Sequence, residues 1–106
     1  MSIVSEIQRQ HWLWVSHNFP DQPLHRPLLG VVEEVGELAH AHLKQEQGIR
    51  LLEDHDAAAR DAVGDILIYL LHYCSLRGWD LEGVLLDTWE GVVRKRDWVS
   101  GAEADL

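Results

Sequence analysis

Residues 62–74 read Ala62-Val-Gly-Asp65-Ile-Leu-Ile-Tyr-Leu-Leu-His72-Tyr-Cys74, apolar on nearly every side of a helix and interrupted by one carboxylate. A helix that is apolar all round is a buried one. No run in the chain approaches the roughly 20 apolar residues that span a bilayer, so this segment is expected at the centre of a small soluble domain. The chain has 106 residues, 46% of them hydrophobic, enough for a single domain over residues 1–106 with one core and too many for a disordered tail.

Working outward from that segment, Arg77-Gly78-Trp79-Asp80 is a tight break, and a fourth helix follows over about Leu81–Trp98 with Asp80 as N-cap. The central helix itself is predicted over about Asp56–Arg77. Before it, residues 48–56 are polar and acidic, and a second helix is predicted over about Pro27–Gln47 with Pro27 in its first turn. The stretch Asn-Phe-Pro-Asp-Gln-Pro-Leu-His-Arg-Pro over 18–27 carries all three prolines and cannot be helix interior. A first helix is predicted over about Ser2–His17, with Ser2 as N-cap and Val4, Ile7, His11, Trp14 and Val15 on one face. No segment alternates as a strand would. The expected fold is therefore all-α, a four-helix bundle of up-and-down type.

Charge narrows the function. With 18 acidic against 9 basic residues the net charge is −9, which argues against a nucleic-acid polymer as ligand. It leaves cations, or anions carried in by cations. The single cysteine, Cys74, argues against an intrachain disulfide framework and fits a reducing cytoplasm. The opening Met-Ser-Ile-Val-Ser-Glu-Ile-Gln-Arg-Gln-His lacks the basic and apolar regions of a signal peptide. A cytoplasmic location without membrane attachment is expected.

On the second helix, Leu28, Val31, Val32, Val35, Leu38, Ala39 and Leu43 form a broad apolar face. At about 100° per residue, Glu33, Glu34 and Glu37 share an arc of about 100° on the other side. As a solvated face this trio is unusual, because surface helices intersperse the signs and nothing basic follows until Lys44. On the third helix, Asp61 and His72 lie within about 40° of the Asp65 stripe. A buried Asp65 must be paired with a cation, either a protein arginine or a metal. If the stripes Glu33/Glu34/Glu37 and Asp61/Asp65 face each other, cations have to offset five carboxylates. Oxygen-only ligands select Mg²⁺, with Mn²⁺ as substitute. On the fourth helix, Leu81, Val84, Leu85, Thr88, Trp89 and Val92 make the expected inner face. Its continuation brings Lys95 and Arg96 to the core side of the last turn. These two either complement the helix C-terminus or bind phosphate, with Lys44 and Arg50 as further phosphate-binding candidates.

These residues resemble the MazG-like all-α nucleoside triphosphate pyrophosphohydrolases, particularly their short phage-type and bacterial members. The family pattern is EExxE on one helix and ExxD on the next. Here the first is Glu33-Glu34-Val-Gly-Glu37 and the second falls at Ala62-Val-Gly-Asp65, with Asp61 adjacent to the position where the family has glutamate. The likeness extends through Lys44–Arg50 to Trp89-x-x-Val92-x-x-Lys95-Arg96-Asp97-Trp98 and covers about residues 3–98. It implies metal ligation by Glu33, Glu34, Glu37 and Asp65, with Asp61 standing in for the missing glutamate. It implies hydrolysis of an NTP or dNTP to the monophosphate and pyrophosphate by metal-activated water. Glu34 or Glu37 would be the catalytic carboxylate that orients or deprotonates that water, and Lys95 and Arg96 would contact phosphate. It also implies a homodimer or tetramer with the base contacted partly by the neighbouring chain. The succession Trp12-Leu13-Trp14, apolar on more than one side of the first helix, points the same way.

Two other readings use the same residues. Glu37-x-x-His40 has the spacing of di-iron bundles, although the chain holds no second such pair. A metal-binding bundle that has lost catalysis would account for Ala62. The seven histidines do not by themselves suggest zinc, since His40 and His42 diverge on a helix.

Overall fold

The computed structural model describes residues 2–96, and every element among them is helical. Helix α1 spans Ile3–Asn18, α2 His25–Gln47, α3 His55–Arg77 and α4 Leu81–Arg96. The predicted end of the fourth helix at Trp98 lies outside the described residues. None of the described helices is long and apolar enough to cross a membrane.

The boundaries follow from local chemistry. Ser2 caps α1, its Oγ accepting from the Ser5 amide at 3.1 Å. Asp54 caps α3 through the Ala57 amide at 2.9 Å, and Asp80 accepts from the Gly83 amide at 3.1 Å at the start of α4. Helices α2 and α3 both stop at a left-handed glycine, Gly48 at φ 64° and Gly78 at φ 74°, where any Cβ would be strained. Helix α2 starts two residues earlier than its proline suggested, which leaves Pro27 still in the first turn.

Helices α2 and α3 form an antiparallel hairpin that holds most of the interhelical packing, and α1 lies against α3. Helix α4 meets α1 and α3 but not α2, and α1 does not meet α2 either. One side chain joins the three elements at this corner. Gln8, buried on α1, donates from Nε2 to the Trp79 carbonyl at 2.8 Å and to Ser75 Oγ at 3.1 Å. Its Oε1 accepts from the Leu81 amide at 2.8 Å. Beside it, Ser2 Oγ donates to Glu82 at 2.5 Å and Ser5 Oγ to Asp80 at 3.0 Å.

The small core comprises Val15, Ala41, Ala62, Leu71 and Cys74, with Pro27 fully enclosed. Much of the expected core is outside it. On α2 the stripe turned to α3 is Pro27, Gly30, Glu34 and Ala41, whereas Leu28, Val32, Val35 and Leu43 on the opposite face are exposed, Val32 by 64%. The predicted inner face of α4 is likewise open, with Leu81 half-buried but Leu85 63% exposed. Even α3 leaves Val63, Leu67 and Ile68 exposed along one flank. The radius of gyration is 17.4 Å, against about 13 Å for a compact domain of this length. The four helices form an open bundle whose apolar faces exceed what one chain covers.

Candidate functional site

The space between α1 and α2, floored by α3, is a cleft of about 370 Å³. Helix α1 contributes His11, Trp14 and Val15, α2 contributes Arg26, Pro27 and Glu34, and α3 contributes Asp65, Ile68, Tyr69 and His72. Phe19 and Gln22, from the connection between α1 and α2, close one end. The hairpin is tight here because residue 30 is glycine. A Cβ on Gly30 would stand 2.5 Å from Tyr69 Cε1, so only glycine lets the Tyr69 ring lie over the α2 backbone.

The two acidic stripes do face each other across α2 and α3. Glu34 is pushed above its ordinary carboxylate value, first by burial and then by repulsion from Glu37, Asp65, Glu33 and Asp61. Asp65 is raised by burial and by Asp61, one turn earlier on α3, which both repels it and hydrogen-bonds to it. Glu34 Oε2 is enclosed and has no hydrogen-bond partner. Buried polar atoms are ordinarily satisfied, so this oxygen stands in want of a donor or a cation. No arginine pairs with Asp65 among the described residues, since the ion pairs there are Arg9–Glu6, His42–Glu46 and Arg94–Glu90.

Four of the five carboxylates are divided between two grooves, and Asp61 lines neither. Glu34 and Asp65 line the cleft. Glu33 and Glu37 line a neighbouring groove of about 430 Å³ with His40, Glu53 and His55. Asp61 is exposed. Among the described residues, no group of three or more His, Cys, Asp or Glu side chains is drawn together as a ready metal cage. The donor set fits a hard cation in its chemistry and in the unsatisfied oxygen of Glu34. Ala62, at the place of the family's glutamate, is 2% exposed and packs as core.

The cations fall differently from the sequence expectation. Lys44 and Arg50 stand at the tip of the hairpin and do not line the cleft. Lys95 is exposed on α4, which does not reach α2. The Arg96 side chain lies outside the described residues. The cation that lines the cleft is Arg26, in the first turn of α2. That turn has no acidic residue and no side-chain cap, so Arg26 adds positive charge to the positive end of the helix. A basic residue placed against the helix dipole was the available signal for it.

His11 and His72 also line the cleft, and spacing had placed them only on an apolar face and near the Asp65 stripe. Tyr69 and Gln22 carried no signal, since each reaches the cleft through tertiary packing. Cys74 is buried with its thiol pushed up, which leaves it a packing residue. Compared with known proteins, the chain matches no family model, no curated protein and no solved structure.

Proposed function

We propose that the chain is a Mg²⁺-dependent nucleoside triphosphate pyrophosphohydrolase of MazG-like type. It would hydrolyse an NTP or dNTP to the monophosphate and pyrophosphate. The observation that carries this reading is the enclosed, unpartnered Glu34 Oε2 opposite Asp65, in a cleft that also holds Arg26.

In this reading Glu34 and Asp65 hold the first cation, with Asp61, Glu33 and Glu37 drawn in as repulsion is relieved. Bound Mg²⁺ supplies charge neutralisation of the triphosphate and acidifies water. Glu34, the carboxylate beside the cation, would accept the proton of the attacking water. Glu37 orients from the adjoining groove. Arg26, with the positive end of α2 behind it, binds a phosphate oxygen and stabilises the departing pyrophosphate. Since α4 does not meet α2, Lys95 would serve phosphates across a contact between copies, as would Lys44 and Arg50 at the hairpin tip. The open faces of α2 and α4 suit such a contact and support a homodimer or tetramer.

The test is pyrophosphate release across the common NTPs and dNTPs, with and without Mg²⁺ or Mn²⁺. Metal-dependent release of pyrophosphate with monophosphate is expected. Release of orthophosphate, or no turnover of any nucleotide, overturns the reading. A second reading, a metal-binding bundle without catalysis, is favoured by the burial of Ala62. In that case Mg²⁺ binds and nothing turns over.

A further inference from the structure

The lining of the cleft changes along α3. Glu34 and Asp65 supply carboxylates, and His72, seven residues beyond Asp65, stands with His11 among aromatic rings. Trp14 and Phe19 meet edge to face at 5.6 Å, and His11 lies 6.0 Å from Trp14. His11 and His72 stand with ring centroids 5.2 Å apart and planes at 58°. His72 is only 6% exposed, yet it makes no hydrogen bond with a described residue, and it lines both the cleft and the adjoining pocket behind Phe19. His11 Nδ1 is enclosed and has no partner. Two imidazoles with unspent hydrogen-bonding capacity thus sit among aromatic rings in an open cleft, and nothing in the proposed hydrolysis uses them.

We propose that His11 and His72 read the hydrogen-bonding edge of the nucleobase, which stacks among the rings here while the triphosphate lies toward Glu34 and Asp65. The inference deepens the nucleotide reading given above and rests on it. Burial pushes both imidazoles below their ordinary value, and His11 lowers His72 further. Each uncharged ring then offers one N–H donor and one bare nitrogen acceptor. A planar heterocycle with adjacent donor and acceptor satisfies both, and aromatic side chains stack on its faces. Because a neutral imidazole can exchange its tautomer, the pair accepts either order of donor and acceptor. Amino and keto bases both fit, and a base alkylated on its pairing edge does not.

Calorimetric titration at pH 7.5 with Mg²⁺ tests this on the whole protein without turnover. The ligands are the α,β-methylene triphosphates of the four common ribonucleosides, inorganic tripolyphosphate, and the best-bound analogue methylated at its ring pairing nitrogen. Wild type is expected to bind the best analogue at least about tenfold more tightly than tripolyphosphate. His11→Phe and His72→Phe keep the ring bulk, and each should lose about three- to tenfold of that gain, the worth of one hydrogen bond. Tripolyphosphate affinity should not change. His11→Asn and His72→Gln return a polar atom and should recover part of the loss. The methylated analogue tests wild type directly and should bind about as weakly as the parent analogue binds to the Phe variants. If the Phe variants keep the gain, or if the methylated analogue binds as well as its parent, base reading by these histidines is overturned and the nucleotide site stands. If the analogues bind no better than tripolyphosphate, the base site is overturned. If wild type binds neither, both readings fall.

Discussion

Of the two faces of α2, the one that carries Gly30, Glu34 and Ala41 lies against α3, and the one that carries Leu28, Val32, Val35 and Leu43 lies open. An amphipathic helix ordinarily does the reverse. The inward face gains little from apolar burial, and it brings Glu34 toward Asp61 and Asp65, whose mutual repulsion costs stability. The outward face keeps its apolar area unspent. The contrast teaches that the hairpin is arranged around a charged seam, and that the apolar area lacking inside lies on the outer face.

The largest effect that can break this contrast lies on the inner face. Asp65→Ala and Glu34→Gln should each lower hydrolysis by about a thousandfold, as expected for loss of a metal ligand or general base. Both should remain folded by circular dichroism, since each removes a repelled carboxylate. If either variant unfolds while wild type shows no metal dependence, the seam is structural and the contrast loses its meaning.

The outer face is next. Val32→Asp with Val35→Asp places two charges on the open stripe. Light scattering at micromolar concentration should then fall from a multiple of 12.1 kDa to the single-chain mass. A wild type already at that mass would show that the open face covers nothing.

Gly30→Ala probes the joint between the faces. The new methyl meets the Tyr69 ring at 2.5 Å, an overpacking that costs about 1–3 kcal/mol. A fall in thermal midpoint of about 4 °C or more is expected, measured by circular dichroism. An unchanged midpoint would mean that α2 and α3 separate easily.

The smallest effect is the response to pH and metal. Glu34 and Asp65 hold their protons more tightly when folded than when unfolded. Their contribution is therefore fully present below about pH 4 and is lost as pH rises through their raised values. Saturating Mg²⁺ should raise the thermal midpoint by a few degrees at pH 7.5 and by less at pH 4, where protons compete with the cation for Glu34 and Asp65. His11 and His72 work in the opposite sense. Their pKa values are lowered on folding, so the stability they contribute is present above about 6.5 and is lost as pH falls through the folded values. An Mg²⁺ shift of equal size at both pH values would place the cation elsewhere.

Helix identity was legible because caps and stops are local. Ser2, Asp80, Gly48 and Gly78 act within a turn of their own position. The common arc of Glu33, Glu34 and Glu37 on α2, and that of Asp61 and Asp65 on α3, were legible too, since helical spacing fixes them. The orientation of α2 was not. Leu28, Val32 and Val35 read as a core stripe whether the core belongs to one chain or to two, and only the Gly30–Tyr69 approach fixes which side meets α3. The outward course of α4 was hidden for the same reason. Arg26 and Gln22 were obscured by a proline-rich stretch that reads only as a break, although its end carries a side chain into the cleft.

Gln8 makes the beginning and the last described helix of the chain one mechanical unit. Its single amide clasps the close of α3 and the opening of α4 from α1, seventy residues away in sequence. The start of α4 is therefore held by the same residue that holds the end of α3, and whatever displaces the first turns of α1 loosens both. A bulky fusion ahead of Ser2, or a protease cut before Gln8, acts at the opposite end of the sequence from the helix start that it would release.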